Sequence, residues 1–137
     1  MRLLIGTDSE YAAVIRAANE MHRADERSPL LVLLGGAGSF SFKPRPSTIL
    51  VPGIPAGVIA AIPALEEFGI ASRLASDIGL PGCYDGTVVE LADAWFQGLD
   101  ASLRSQVTVA VRGPEDLARA ARDLGRRLGV PVQVVPG

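Results

Sequence analysis

The chain has 137 residues, of which 48% are apolar and 20% charged, and its formal net charge is −2. That length suits one ordinary domain, and that apolar share is enough for a buried core. A pI near 5.3 and an aromatic share of 5% exclude a basic nucleic-acid footprint, a polybasic membrane patch and a row of base-stacking platforms, so neither nucleic acid nor a membrane is expected as a partner.

Arg2–Ile5 is a short apolar run that stops at Gly6, the pattern of a buried strand. Asp8 or Ser9 is placed to cap a helix running to about Arg23, with Val14, Ala17, Ala18 and Met21 on one face. After a polar turn, Leu30–Leu34 is a second buried-strand run, stopped by Gly35-Gly36-Ala37-Gly38. Ser39–Pro46 is irregular, because Pro44 and Pro46 hold the residues before them out of helix. Ser47–Val51 reads as a strand. Ala56–Phe68 reads as a helix with Ile59, Ile62, Leu65 and Phe68 inward, unless Pro63 is the first-turn residue of a shorter one.

Ile70–Ala75 predicts another strand, and Ser76–Gly86 a loop with three Gly-containing turns. Thr87-Val88-Val89-Glu90 is a capping box that opens a helix with Val88, Leu91, Trp95 and Leu99 on one face. Trp95 on that stripe is read as core. Val107–Val111 alternates like a strand. Gly113-Pro114-Glu115-Asp116 starts the last helix, whose stripe is Leu117, Ala121, Leu124 and Leu128, with Arg119, Arg122, Arg126 and Arg127 toward water. Gly129 ends it, and Pro131–Val135 is a closing strand.

Strands and helices alternate throughout. The expected fold is therefore α/β: a single doubly wound, Rossmann-like parallel sheet of five or six strands with helices on both faces, over residues 1–137 as one domain. Cys83 is the single cysteine. That excludes an internal disulfide and a multi-cysteine metal site within this chain, and suits a reducing compartment. The apolar run at the N-terminus is too short for a signal peptide, and no window approaches the roughly 18 apolar residues of a membrane span. The expected location is the cytoplasm.

In such a sheet, ligands bind beyond the carboxyl ends of the strands. The turn Gly6-Thr7-Asp8-Ser9-Glu10 sits where a dinucleotide fingerprint would hold pyrophosphate, but it keeps one glycine and adds two acids. It is either the remnant of a cofactor turn or an ordinary helix start. Lys43 and Arg45, with Ser39 and Ser41, are candidate anion ligands or two solvated cations. Asp77 is placed to orient a ribose hydroxyl or to form an Asx turn. Cys83 has no neighbour in sequence that would activate its thiol and is read as inert. His22, the single histidine, rules out two-histidine metal motifs and is read as a surface residue.

The order of these pieces resembles the pyridine-nucleotide-binding domain of the ferredoxin-NADP reductase group, and within it the electron-transfer subunits of dihydroorotate dehydrogenase. Leu3-Leu4-Ile5-Gly6 before a helix is similar to that family's first strand and turn. Leu65-Glu66-Glu67-Phe68-Gly69-Ile70, then Leu74-Ala75-Ser76-Asp77-Ile78-Gly79, resembles its E-x-x-G and A-T-D-D-G segments. Gly86-Thr87-Val88-Val89-Glu90-Leu91 resembles its G-x-V-T-D-L. Val109 to Leu117 resembles its Y-A-C-G-P-x-x-M turn, and Val130-Pro131-Val132-Gln133-Val134 its closing strand. The likeness covers most of the chain and is poorest over residues 36–55.

The resemblance implies a nucleotide-domain fold with cofactor-binding positions at Gly6, Thr7, Asp8, Ser9, Asp77, Arg112, Gly113 and Pro114. The chain departs from the pattern in two places. The first turn lacks the family's glycines, and Arg112 stands where the family has the cysteine beside the nicotinamide. The family's flavin-binding barrel and cysteine cluster have no counterpart in these residues, so no flavin or iron–sulfur cluster is expected in this chain. NAD(P) is the cofactor the resemblance suggests. The leading expectation is a stand-alone nucleotide-binding-like domain that acts as an accessory subunit of a redox system or as a weak nucleotide or anion binder. Two alternatives stand beside it: an NAD(P)H-dependent electron-transfer subunit working with a separate flavoprotein, and a non-catalytic interaction domain or homodimer docking through the apolar segment Val51–Val58.

Overall fold

The computed structural model describes residues 1–135. Six strands form one wholly parallel sheet: β1 (Arg2–Thr7), β2 (Leu30–Gly36), β5 (Ala71–Ser76), β6 (Tyr84–Asp85), β7 (Thr108–Arg112) and β8 (Val132–Val134). Their spatial order is β6-β5-β2-β1-β7-β8. With the two-residue edge strand β6 set aside, this is the doubly wound order 3-2-1-4-5, whose switch point falls between β1 and β7. The chain is therefore an α/β domain of Rossmann-like construction.

The central strands are apolar on both faces, and alternate residues divide between two cores. Leu4, Val32, Leu34 and Leu74 pack against α1 (Tyr11–Ala24) and the single-turn α2 (Pro63–Glu66). Leu3, Ile5, Leu31 and Leu33 pack against α3 (Val88–Gln97) and α5 (Glu115–Leu128). Another single turn, α4 (Ala101–Arg104), leads into β7. Trp95 is fully buried within the α3 stripe, as its spacing predicts. Gly129 ends α5 in the left-handed conformation at φ 68°, which glycine adopts without steric cost.

Four local expectations are corrected. The start of α1 is not capped by Asp8 or Ser9: Asp8–Glu10 form a 3-10 turn, and the helix begins at Tyr11 without a side-chain cap. The Asp8 carboxylate is drawn instead to the distant Ser41. Ser47–Val51 is not a strand; the short ladder in this region pairs β3 (Arg45–Pro46) antiparallel with β4 (Ala60–Ala61). Ala56–Phe68 is not one helix. Pro63 holds the first position of α2, and Ile59 and Phe68 are 51% and 62% exposed rather than inward. Within the loop expected over Ser76–Gly86, Tyr84–Asp85 extends the sheet as β6.

The segment before β4 wraps the β5 edge. Phe40 and Phe42 lie on the α1 face, whereas Val51, Ile54 and Val58 lie on the α3 face, before Ala60 returns the chain to the first. Three anchors hold this strap. The Trp95 indole N–H donates to the Pro52 carbonyl at 2.9 Å. The buried Arg73 guanidinium donates to the carbonyls of Ser72 and Ile49, both at 2.6 Å. The Glu66 carboxylate accepts from the Ser47 hydroxyl at 2.9 Å and from the Thr48 backbone N–H at 2.6 Å.

Candidate functional site

The carboxyl ends of β1, β2 and β5 and the first turns of α3 and α5 enclose a cleft of about 430 Å³. That is the small end of the range typical of small-molecule pockets. The first turn of α3 is fixed by the capping box read from the sequence. Thr87 Oγ1 accepts from the Glu90 N–H at 3.1 Å, and Glu90 Oε1 accepts from the Thr87 N–H at 2.8 Å. Val88 and Val89 from this turn, with Leu117 and Ala120 from α5, line the apolar side of the cleft. Thr7, Ser9, Asp77 and Asp116 supply its polar side groups.

Of the positions expected to hold a cofactor, Thr7, Ser9, Asp77 and Pro114 line this cleft and the others do not. Gly6 is a packing residue: a Cβ there would lie 2.5 Å from Val14 Cγ2, so its missing side chain makes room for α1. Asp8 is occupied by Ser41, accepting from its hydroxyl at 2.8 Å and from its N–H at 3.0 Å. Tyr11 stacks on Phe42 at 5.0 Å next to this contact. Burial first, and the Asp8 charge second, push its hydroxyl above the ordinary value. Arg112 is ion-paired with Glu10. At Gly113 a Cβ would lie 2.5 Å from Leu117 Cδ2, so this glycine lets the first turn of α5 close on β7.

Lys43 and Arg45 are both exposed, and neither reaches the cleft. Arg45 borders a separate depression with Thr48, Glu66 and Glu67. Cys83 is half-buried against the α1-side core, and burial raises its thiol above the ordinary range, in keeping with an inert side chain. His22 is half-buried near the end of α1. Among the described residues no group of three His, Cys, Asp or Glu side chains could hold a metal ion. No helix among them is long and apolar enough to cross a membrane.

Two lining features were missed in the sequence. Asp116 reads there only as an acid favouring the α5 dipole, yet it faces the same cleft as Asp77. Ala120, one turn further on, reads as featureless. The signal for both lies in their spacing, since Asp116 and Ala120 are four apart and share a helix face with the capped turn opposite.

The described side chains of the cleft offer no cation to a pyrophosphate. No Lys, Arg or His is among the described lining residues, and two carboxylates are. Thr87 and Glu90 N–H groups are paired within the capping box. Pro114 has no N–H to offer, and the Leu117 N–H is bonded to its neighbour Asp116 at 3.0 Å. The fold and the cleft define the class: a Rossmann-like domain with a small switch-side pocket that has no lysine, arginine or histidine among its described lining residues. No family model, curated protein or solved structure matches the chain.

Proposed function

We propose that this chain is a ferredoxin-reductase-type nucleotide-domain relative that binds a small ligand in the switch-side cleft and acts as an accessory subunit of a redox assembly, not as the hydride-transferring module itself. The observation that carries this reading is the cleft's position. It lies at the carboxyl edge of a 3-2-1-4-5 sheet, between Gly35-Gly36, Asp77, the Gly86-Thr87 turn and Pro114. The order of motifs along the chain supports the family reading. The engaged Arg112 and the closed first turn argue against a working nicotinamide site.

Calorimetric titration of the purified chain with NADH, NADPH, AMP and adenosine tests this. Millimolar or tighter binding of at least one of these compounds supports the reading; heats indistinguishable from dilution with all four overturn it. Tight NADH binding together with reduction of an added flavoprotein would instead establish the NAD(P)H-dependent electron-transfer subunit.

A second reading, an interaction domain, is favoured by one observation. The segment Val51–Val58 expected to dock is turned inward, with Val51, Ile54 and Val58 packed on the α3-side core, but Leu50 just before it is 93% exposed. Sedimentation over a hundredfold concentration range tests it through self-association. A homodimer held by the strap would dissociate on Leu50→Asp; a monomer at every concentration removes it.

A further inference from the structure

Resting on the reading that the cleft binds a ligand, we infer that it selects an unphosphorylated nucleoside-type molecule, an aromatic base carrying neutral hydroxyls, over the corresponding nucleotide. Three observations converge on this. The wall built by Val88, Val89, Leu117 and Ala120 is apolar and suits the face of a flat ring. The polar groups that share the cleft with it are suited to a diol. Asp77 and Asp116 bring carboxylate oxygens that accept from ligand hydroxyls, and Thr7 and Ser9 bring hydroxyls that donate or accept. Asp77 is held in place because one of its oxygens accepts from the Gly38 N–H at 3.1 Å.

The third observation is the treatment of negative charge. Among the described lining residues no side-chain cation is offered to a phosphate, and two carboxylates line the cleft. The first turn carries Asp8 and Glu10 in place of glycines. The nearest cation in the strand ends, Arg112, is paired with Glu10. At the two facing helix starts the N–H groups of Thr87, Glu90 and Leu117 are spent on side chains and Pro114 has none, which leaves the first-turn N–H groups of Val88, Val89, Glu115 and Asp116 as the remaining backbone donors. A phosphate entering the cleft would meet two like charges, with no lysine, arginine or histidine among the described lining residues to offset them. A nucleoside does not meet that repulsion.

The test is isothermal titration of the chain with adenosine, guanosine, cytidine and uridine and with each 5′-monophosphate, at low and at physiological salt. At least one nucleoside is expected to bind about tenfold or more tightly than its monophosphate at low salt, a gap that one or two screened like-charge contacts produce. The gap should narrow as salt rises, because screening weakens repulsion. In the Asp77→Asn/Asp116→Asn double variant, it should shrink to about threefold or less. The salt series needs no variant, so it stands even if the substitutions disturb the loop. A monophosphate binding as tightly as its nucleoside, or a gap indifferent to salt, overturns the selectivity and leaves the ligand-binding reading intact. Failure of all eight compounds, with NADH bound, overturns the selectivity as well. Failure of every compound including NADH overturns both.

Discussion

Single side chains decide what the carboxyl edge of this sheet is able to hold. Gly6 and Gly113 look in the sequence like survivors of a cofactor motif, but each is set against a side chain 2.5 Å from where its Cβ would be. Gly6 is fully enclosed between β1 and α1, so Gly6→Ala should cost about 1–3 kcal/mol through overpacking and lower the urea midpoint without changing the slope. Arg73 shows the same dependence on neighbours for a charged group. It is 6% exposed, and both its Nη atoms donate to backbone carbonyls, although its Nε has no partner among the described residues. Burial lowers its pKa, and the Glu66 charge opposes that shift. Arg73→Met would take the guanidinium donors from the Ser72 and Ile49 carbonyls, leaving Ile49 only the long 3.4 Å bond from the Ser47 hydroxyl. A loss of about 1–3 kcal/mol is expected in chemical denaturation, with faster hydrogen exchange confined to the strap.

Helix starts and the strap carry the predictions at the level of elements. The α3 capping box is legible in four consecutive residues because both of its hydrogen bonds are local. Thr87→Ala should destabilise the protein by about 0.5–2 kcal/mol, read as a lower thermal midpoint. The misreading of Asp8 has the opposite cause. A cap residue competes for partners, and Ser41, 33 positions away, supplies two donors that the local backbone does not. The strap was equally illegible, since its apolar residues follow neither period and its shape is set by Glu66, Arg73 and Trp95 beneath it.

Glu66 also gives the strap a pH dependence. Burial alone would raise its carboxyl, but hydrogen bonds from Thr48 and Ser47 and the Arg73 charge outweigh that and lower it below the ordinary 4.5. A depressed folded-state value means that this contribution to stability is complete above the ordinary glutamate range and is lost as pH falls through the folded value. Stability measured from pH 6 downward should therefore fall less steeply below about pH 4.5 in Glu66→Gln than in the parent chain. Equal slopes would remove Glu66 as an anchor.

For the molecule as a whole, two cores on opposite faces of one sheet share every central strand, so neither is expected to melt alone. Calorimetry should show one transition whose van't Hoff and calorimetric enthalpies agree. The doubly wound fold was determined by the sequence, because alternating apolar runs and amphipathic stretches, each bounded by Gly or Pro, leave a parallel sheet covered on both faces as the arrangement that buries them. So was the interior role of Trp95, which follows from helical spacing. Tertiary structure alone decided the site. Whether Asp8 caps a helix or binds Ser41, whether Arg112 is free for an anion or paired with Glu10, and whether Asp77 and Asp116 share one cleft all depend on residues far apart in the chain. Local spacing encodes which face of an element is buried, but the charge balance of a cleft is a sum over loops whose juxtaposition only the folded sheet creates.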